Sequence, residues 1–306
     1  MRALRTVLTF ACLLLFGLPV VAVAEPTKVA IGYPPATDFL AAYVAMDQGI
    51  FAKHNIDATM VKIPVVSNIP SAVVSGSIQI GMTTIPVVLQ ANDGGLDLVL
   101  VAGAARHTKE HPFISLLARS DIKYTKPDDL IGKTVGVPGI NSVIDVMFRK
   151  WLVNNHVPLD KVKVVEGPLP QLPDMLKSAS VDYVAIVDPL RTRIVATKTG
   201  DIAAEYFAEV NPDVLVSGWL ASGDWVKKNP EAVKGFRLAI DEGLDFIRKN
   251  PEEAKVIEKK YIGYNSPSFP TFNNKARPDD LTFFLNVGKE LHLYRSQLDP
   301  KKIVVP

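Results

Sequence analysis

Cysteine is almost missing from this chain: Cys12 is the only one in 306 residues, and it stands inside an N-terminal leader pattern. Without the leader no cysteine remains, which excludes disulfides, thiolate nucleophiles and cysteine-based metal sites. Excess charge is missing too. Lys and Arg number 34 against 32 Asp and Glu, and the leader holds two of the basic residues and no acidic one, leaving 32 of each. No basic stretch is dense enough to track phosphates, so nucleic acid is not an expected partner. Beyond residue 24 no apolar run approaches the length of a membrane-spanning helix, and no low-complexity tract or internal repeat occurs.

What is present begins with export. Arg2 and Arg5 precede an apolar run from Leu8 to Val23, closed by Ala22-Val23-Ala24, the small-x-small form that signal peptidase cuts. Gly17 and Pro19 interrupt the run, which favours a cleaved signal peptide over an anchor, with cleavage after Ala24. Cys12 comes too early in the run for lipid attachment, so the mature chain is expected to be soluble. At about 280 residues it exceeds one ordinary core, and two domains are expected.

The mature sequence alternates short apolar runs with helical patterns, the mark of mainly parallel sheets flanked by helices. Lys28–Gly32, Ala58–Ile63, Gln79–Met82 and Leu96–Ala102 read as strands of a first series, with helices after Thr37 and over 69–75 and 85–92. Phe113–Ala118 reads as the strand that leaves this unit. Thr134–Val137, Val162–Val165 and Tyr183–Val187 then alternate with helices over 142–154, 169–178 and 189–197. Val214–Ala221 carries the chain back. These runs predict an α/β fold of two lobes, residues 25–117 with 215–306 and residues 118–214, joined by a double hinge near 118 and 215. Asn229-Pro230-Glu231 and Asn250-Pro251-Glu252 each place an N-cap residue before a helix-opening proline. Val233, Phe236, Ile240, Leu244 and Ile247 form one apolar stripe between them. A last helix is expected from Pro278 to near His292.

Several segments, in this order and spacing, resemble the nitrate/sulfonate/taurine-type periplasmic binding proteins, whose superfamily also includes binding proteins for thiamine-pyrimidine precursors. They are Tyr33-Pro34-Pro35, the run from Asp47 to Ile56, the run from Ser75 to Gly81, the run from Asp129 to Val137, and the paired Asn-Pro-Glu starts. The resemblance spans residues 27–260. It implies a type II periplasmic binding fold, one small-molecule ligand in a cleft between the lobes, and a membrane permease of an ABC importer as partner. It also implies a periplasmic location, a monomer, no cofactor and no catalysis. Open parallel sheets bind ligands beyond the carboxyl ends of their strands, which agrees.

Pro35, Thr37 and Phe39 match the family's first ligand loop, and Thr83 and Thr84 its second. Thr37 also reads as a helix N-cap, and Thr83 and Thr84 as a simple turn. Arg106, after the strand Leu96–Ala102, and Arg191 are candidates to clamp an anion, since guanidinium forks match carboxylate or sulfonate oxygens. Asn141 and Ser142 open a helix whose N–H groups attract anions. Asp188 precedes Pro189 where the family has an acidic residue and proline, though Leu190 stands where an aromatic ring is usual. Trp219 occupies a position that faces the cleft in relatives, against a core role for a tryptophan in an apolar run.

His107-Thr108-Lys109-Glu110-His111 has the H-x-x-E-H form of one class of zinc peptidases. Pro112 biases His111 away from helix, and no third ligand stands nearby in the pattern, so a hinge-side loop without metal is expected. Small organic anions (sulfonate, nitrate, carboxylate) lead as ligands, with a pyrimidine precursor as the alternative. A periplasmic sensor or a pyrimidine-forming enzyme on the same fold are further readings; the enzyme's cysteine-rich iron site has no counterpart in a mature chain without cysteine.

Overall fold

The computed structural model describes residues 25–295 and 297–305; the leader with its Ala22-Val23-Ala24 site and Cys12 lies outside them. Eleven strands among the described residues form two sheets. The first orders β11 (Thr271–Phe272), β4 (Leu98–Thr108), β10 (Asp213–Ser222), β3 (Ile80–Thr84), β1 (Thr27–Tyr33) and β2 (Ile56–Lys62). The second orders β7 (Lys163–Glu166), β6 (Thr134–Val137), β8 (Tyr183–Val187), β5 (Ile114–Arg119) and β9 (Gly200–Ala204). Each contains a parallel trio, β3–β1–β2 and β7–β6–β8. Most strands of each sheet, the two-residue β11 apart, run in one direction, and the exceptions are β10 and β5, antiparallel to both their neighbours. Both are the first strands laid down after the chain changes sheets.

The change of sheet differs from the sequence expectation. Residues 114–119 pair with β8 and β9, so the chain leaves the first sheet over 109–113, ahead of this strand instead of after it. It returns over 205–212. The apolar run conceals the transition because Ile114, Leu116 and Leu117 are buried whichever sheet they join. The two crossing segments touch, with Lys109 N donating to Pro212 O at 2.8 Å.

The helix Pro230–Lys249 buries Val233, Phe236, Ile240, Leu244 and Ile247, as the stripe predicts. Gly243 lets it close on the helix Leu40–Asp47, since a Cβ there would meet Ala41 O at 2.4 Å. The Asn-Pro-Glu segments do open helices with each asparagine at the N-cap position, but neither asparagine side chain bonds the helix that follows. Asn229 Nδ2 donates back to Trp225 O and Asn250 Nδ2 to Phe246 O, closing the preceding helix. The last long helix runs Pro278–Glu290.

Candidate functional site

The carboxyl ends of β1, β3, β6 and β8 bring loops from both sheets to one place. Between them lies a cavity of about 40 Å³. The first sheet's side contributes Pro34, Asp38, Phe39, Thr84 and Ser217, and the second Pro138, Ser142, Leu169 and Val187, with Phe113 from the crossing. Thr84 Oγ1 accepts from Val143 N at 3.1 Å, a bond that spans the two sheets inside the site. Outside the cavity lining, Ser67 donates to Glu166, Arg193 to the Tyr264 hydroxyl, and Lys150 pairs with Glu290 at 2.6 Å. A roomier space of 350 Å³, lined by Arg237, Asp241, Lys275 and Arg277, draws no residue from the second sheet.

Of the residues singled out from sequence, Phe39, Thr84 and Ser142 line the cavity. Ser142 also caps the helix Val143–Asn154, its hydroxyl accepting from Asp145 N. The others lie elsewhere. Pro35 is buried beside the lining residue Pro34. Thr37 caps no helix: its hydroxyl donates to the fully buried Glu258 carboxylate, which also accepts from Ser266 Oγ at 2.7 Å and Ser266 N at 2.9 Å. That cluster pins the first loop to the helix Pro251–Ile262. Thr83 is buried in β3, its hydroxyl without a protein partner. Asn141 holds a left-handed turn with φ 60°, its N–H donating to Asp145 Oδ2 at 2.7 Å.

Neither arginine faces the cavity. Arg106 bonds Asp213 and Asp280, at 2.5 and 2.9 Å. Arg191 bonds Ser115 Oγ and Glu205 at 2.6 and 2.8 Å and lies 3.6 Å from Asp188. Asp188 itself accepts from both Thr192 N and Thr192 Oγ1, anchoring the start of the helix Leu190–Ala196. Trp219 packs edge-on against Phe39 and Phe236 in the core, 1% exposed. His107 lies on β4, fully buried between Phe113 and Phe207, and burial with the charge of Arg191 lowers its pKa to about 4. His111 sits across a turn and is exposed, so the two histidines share no helical face.

Two polar lining residues escape the sequence reading, Asp38 and Ser217. Asp38 Oδ1 and Ser217 Oγ are enclosed and make no hydrogen bond to protein. Burial pushes the Asp38 carboxyl up to about 6. The Ser217 hydroxyl lies near enough to lower it somewhat, yet is outside bonding geometry with any protein group. A single serine in the apolar run Val214–Ala221 was the available signal for Ser217; Asp38 gives none, since an acid in the first helical turn is ordinary.

The model of the NMT1/THI5-like family matches residues 36–254. The chain belongs to the NMT1/THI5-like family. It is similar to a nitrate/nitrite binding protein of Nostoc, 25% identical over 78% of this chain and 59% of that one. A formylaminopyrimidine-binding protein of Halalkalibacterium halodurans is 24% identical over 75% of this chain and 68% of its own length. Among solved structures, the alkanesulfonate-binding protein SsuA of Xanthomonas axonopodis aligns with a TM-score of 0.78 at 15% identity, covering 92% of this chain and 99% of that one. The periplasmic nitrate-binding protein NrtA of Synechocystis aligns with a TM-score of 0.77 at 16% identity, covering 91% and 85%. The fold is that of these periplasmic binding proteins.

Proposed function

We propose that this family member is the capture component of an ABC importer: exported to the periplasm, cleaved after Ala24, it holds one small molecule between two lobes and hands it to a membrane permease. The lobes divide at the crossing segments 109–113 and 205–212. The observation that carries this reading is the cavity, walled by strand-end loops of both sheets and bridged by the Val143 N to Thr84 Oγ1 bond. A ligand bound there touches both lobes, and only such two-sided contact favours a closed form over an open one. No catalytic group is needed for the task. Arg106 and Arg191, expected from sequence to clamp an anion, lie in ion pairs away from the cavity, whereas Ser142, at the helix start expected to attract one, lines it.

Binding is tested by thermal shift on the mature protein and on Val216→Trp, which fills the cavity. At about a hundredfold excess over its Kd, a ligand adds roughly 2.7 kcal/mol, a rise in Tm of about 5 °C or more for a chain of this size. A shift in the mature protein and none in Val216→Trp supports the reading. An equal shift in both contradicts it.

A further inference from the structure

We propose that the loop 263–270 is a closure strap: it sets Tyr264 of the first lobe against Arg193 of the second, and this pair raises ligand affinity from outside the cavity by favouring the closed form. The proposal rests on the capture reading above. The loop begins at Gly263, whose left-handed φ of 87° ends the helix Pro251–Ile262. Across from it, the Arg193 guanidinium on the helix Leu190–Ala196 lies 4.6 Å from the centre of the Tyr264 ring and donates from Nη1 to its hydroxyl. Among the described residues this guanidinium pairs with no carboxylate, whereas those of Arg106 and Arg191 do. Arg193 is exposed and Tyr264 half-buried, so parting the lobes returns the guanidinium to water and breaks the pair. A contact made in one form and not in the other shifts the balance between them.

The root of the strap ties it to the ligand. Ser266, two residues beyond Tyr264 and buried, gives both its N–H and its hydroxyl to the Glu258 carboxylate. The same carboxylate accepts from Thr37 Oγ1, and Thr37 is followed by Asp38 and Phe39, which line the cavity. One buried carboxylate therefore fixes the strap and the first ligand loop to each other. On the other side, the helix that carries Arg193 follows β8, whose last residue, Val187, also lines the cavity. The Tyr264–Arg193 pair thus joins two elements that each reach the ligand. Its size suits a bias rather than a lock. An exposed cation–π contact is worth about 2- to 5-fold in an equilibrium, and the hydroxyl bond raises this to about 10-fold, so ligand still drives closure. The Ser67–Glu166 and Lys150–Glu290 contacts also cross between the lobes and remain when the strap is cut.

The test is the distance between two spin labels, on Val256→Cys in the first lobe and Ile202→Cys in the second, both exposed positions in a chain that holds no other cysteine from Glu25 onward. It is measured by electron double resonance without ligand and with nitrate, methanesulfonate or 4-aminopyrimidine as probes. The variants in this background are Arg193→Ala, Arg193→Lys, Tyr264→Phe and Lys177→Ala, the last removing an equal charge from an exposed position on the same lobe. Gly139→Val, whose Cβ lies 2.8 Å from Val66 Cγ2, marks the parted distance. In Arg193→Ala the ratio of the longer to the shorter separation should rise up to about 10-fold, in Tyr264→Phe and Arg193→Lys by less, and in Lys177→Ala not at all. A probe that closes the parent should lose affinity in Arg193→Ala by no more than that factor, since only the closed fraction binds tightly. Distances unchanged in Arg193→Ala while Gly139→Val widens them overturn the strap and leave the capture reading standing. An equal shift in Lys177→Ala overturns it too, as an effect of charge alone, and so does an affinity loss larger than the shift, which would set Arg193 against the ligand. No widening in Gly139→Val removes the capture reading together with the strap. A cooperative melt of each variant accompanies the measurement as the control for folding.

Discussion

Replacing Asp38 by asparagine gives a stability effect whose sign and size follow from the structure. Burial raises this carboxyl from 3.8 to about 6, with Ser217 and a backbone N–H opposing. A raised carboxyl pKa means that the native state holds the proton more tightly than the unfolded chain does. The associated stabilisation is complete below pH 3.8 and is lost as pH rises through about 6. At about 1.4 kcal/mol per unit, the mature protein at pH 8 stands about 3 kcal/mol below where a permanently neutral side chain would place it. The asparagine of Asp38→Asn is that neutral side chain. The nearby tyrosines do not interfere, since burial raises both Tyr33 and Tyr43 above 10 and keeps them uncharged. His107 and the other carboxylates titrate in both proteins and cancel in the difference. Urea unfolding at a series of pH values should therefore show Asp38→Asn gaining on the parent by roughly 2 kcal/mol between about pH 4 and 8, with most of the gain below pH 6 and a plateau above. Parallel curves, or a gain that shrinks as pH rises, would refute a buried, solvent-deprived carboxyl at this position.

His107 gives the mirror case: its pKa is lowered to about 4, so stability is full above pH 6.5 and falls as pH drops toward 4. His107→Leu should lack that fall, up to about 3 kcal/mol, in the same urea series, and an unchanged acid limb would count against a neutral buried imidazole. Glu258→Ala leaves the Thr37 and Ser266 donors without their acceptor and opens a hole behind the first loop. A loss of about 2–4 kcal/mol is expected in chemical denaturation; a loss under about 1 kcal/mol would mean the cluster does not pin the loop. A Cβ at Gly139 would lie 2.8 Å from Val66 Cγ2, across the gap between the sheets. Gly139→Val should hold the two loops apart, enlarge the radius of gyration by small-angle X-ray scattering and weaken ligand binding, with unaltered scattering as the adverse result.

The fold was legible because its strands are short apolar runs whose boundaries are written in turn residues. Thr134–Val137 and Tyr183–Val187 match their predicted limits, and the stripe from Val233 to Ile247 faces the core. Sheet membership was not legible at residues 114–119, since an all-buried strand has the same composition in either sheet. The site was readable only in part. Position after a strand's carboxyl end placed Phe39, Thr84 and Ser142 at the cavity. Charge misled at Arg106 and Arg191, because their partners Asp213, Asp280 and Glu205 are distant in sequence and satisfy them within the fold. Asp38 was invisible for the converse reason: its Oδ1 is enclosed by loops that meet only in three dimensions.

The account's central claim is that ligand is held between the sheets rather than on the outer face of either. A crystal structure of the mature protein with whichever probe gives the thermal shift tests this most directly. The account predicts density enclosed by both sheets, within hydrogen-bonding reach of Ser217 or Asp38 and against Phe39. Density in the space beside Arg237, Lys275 and Arg277, built from the first sheet's side alone, would contradict it.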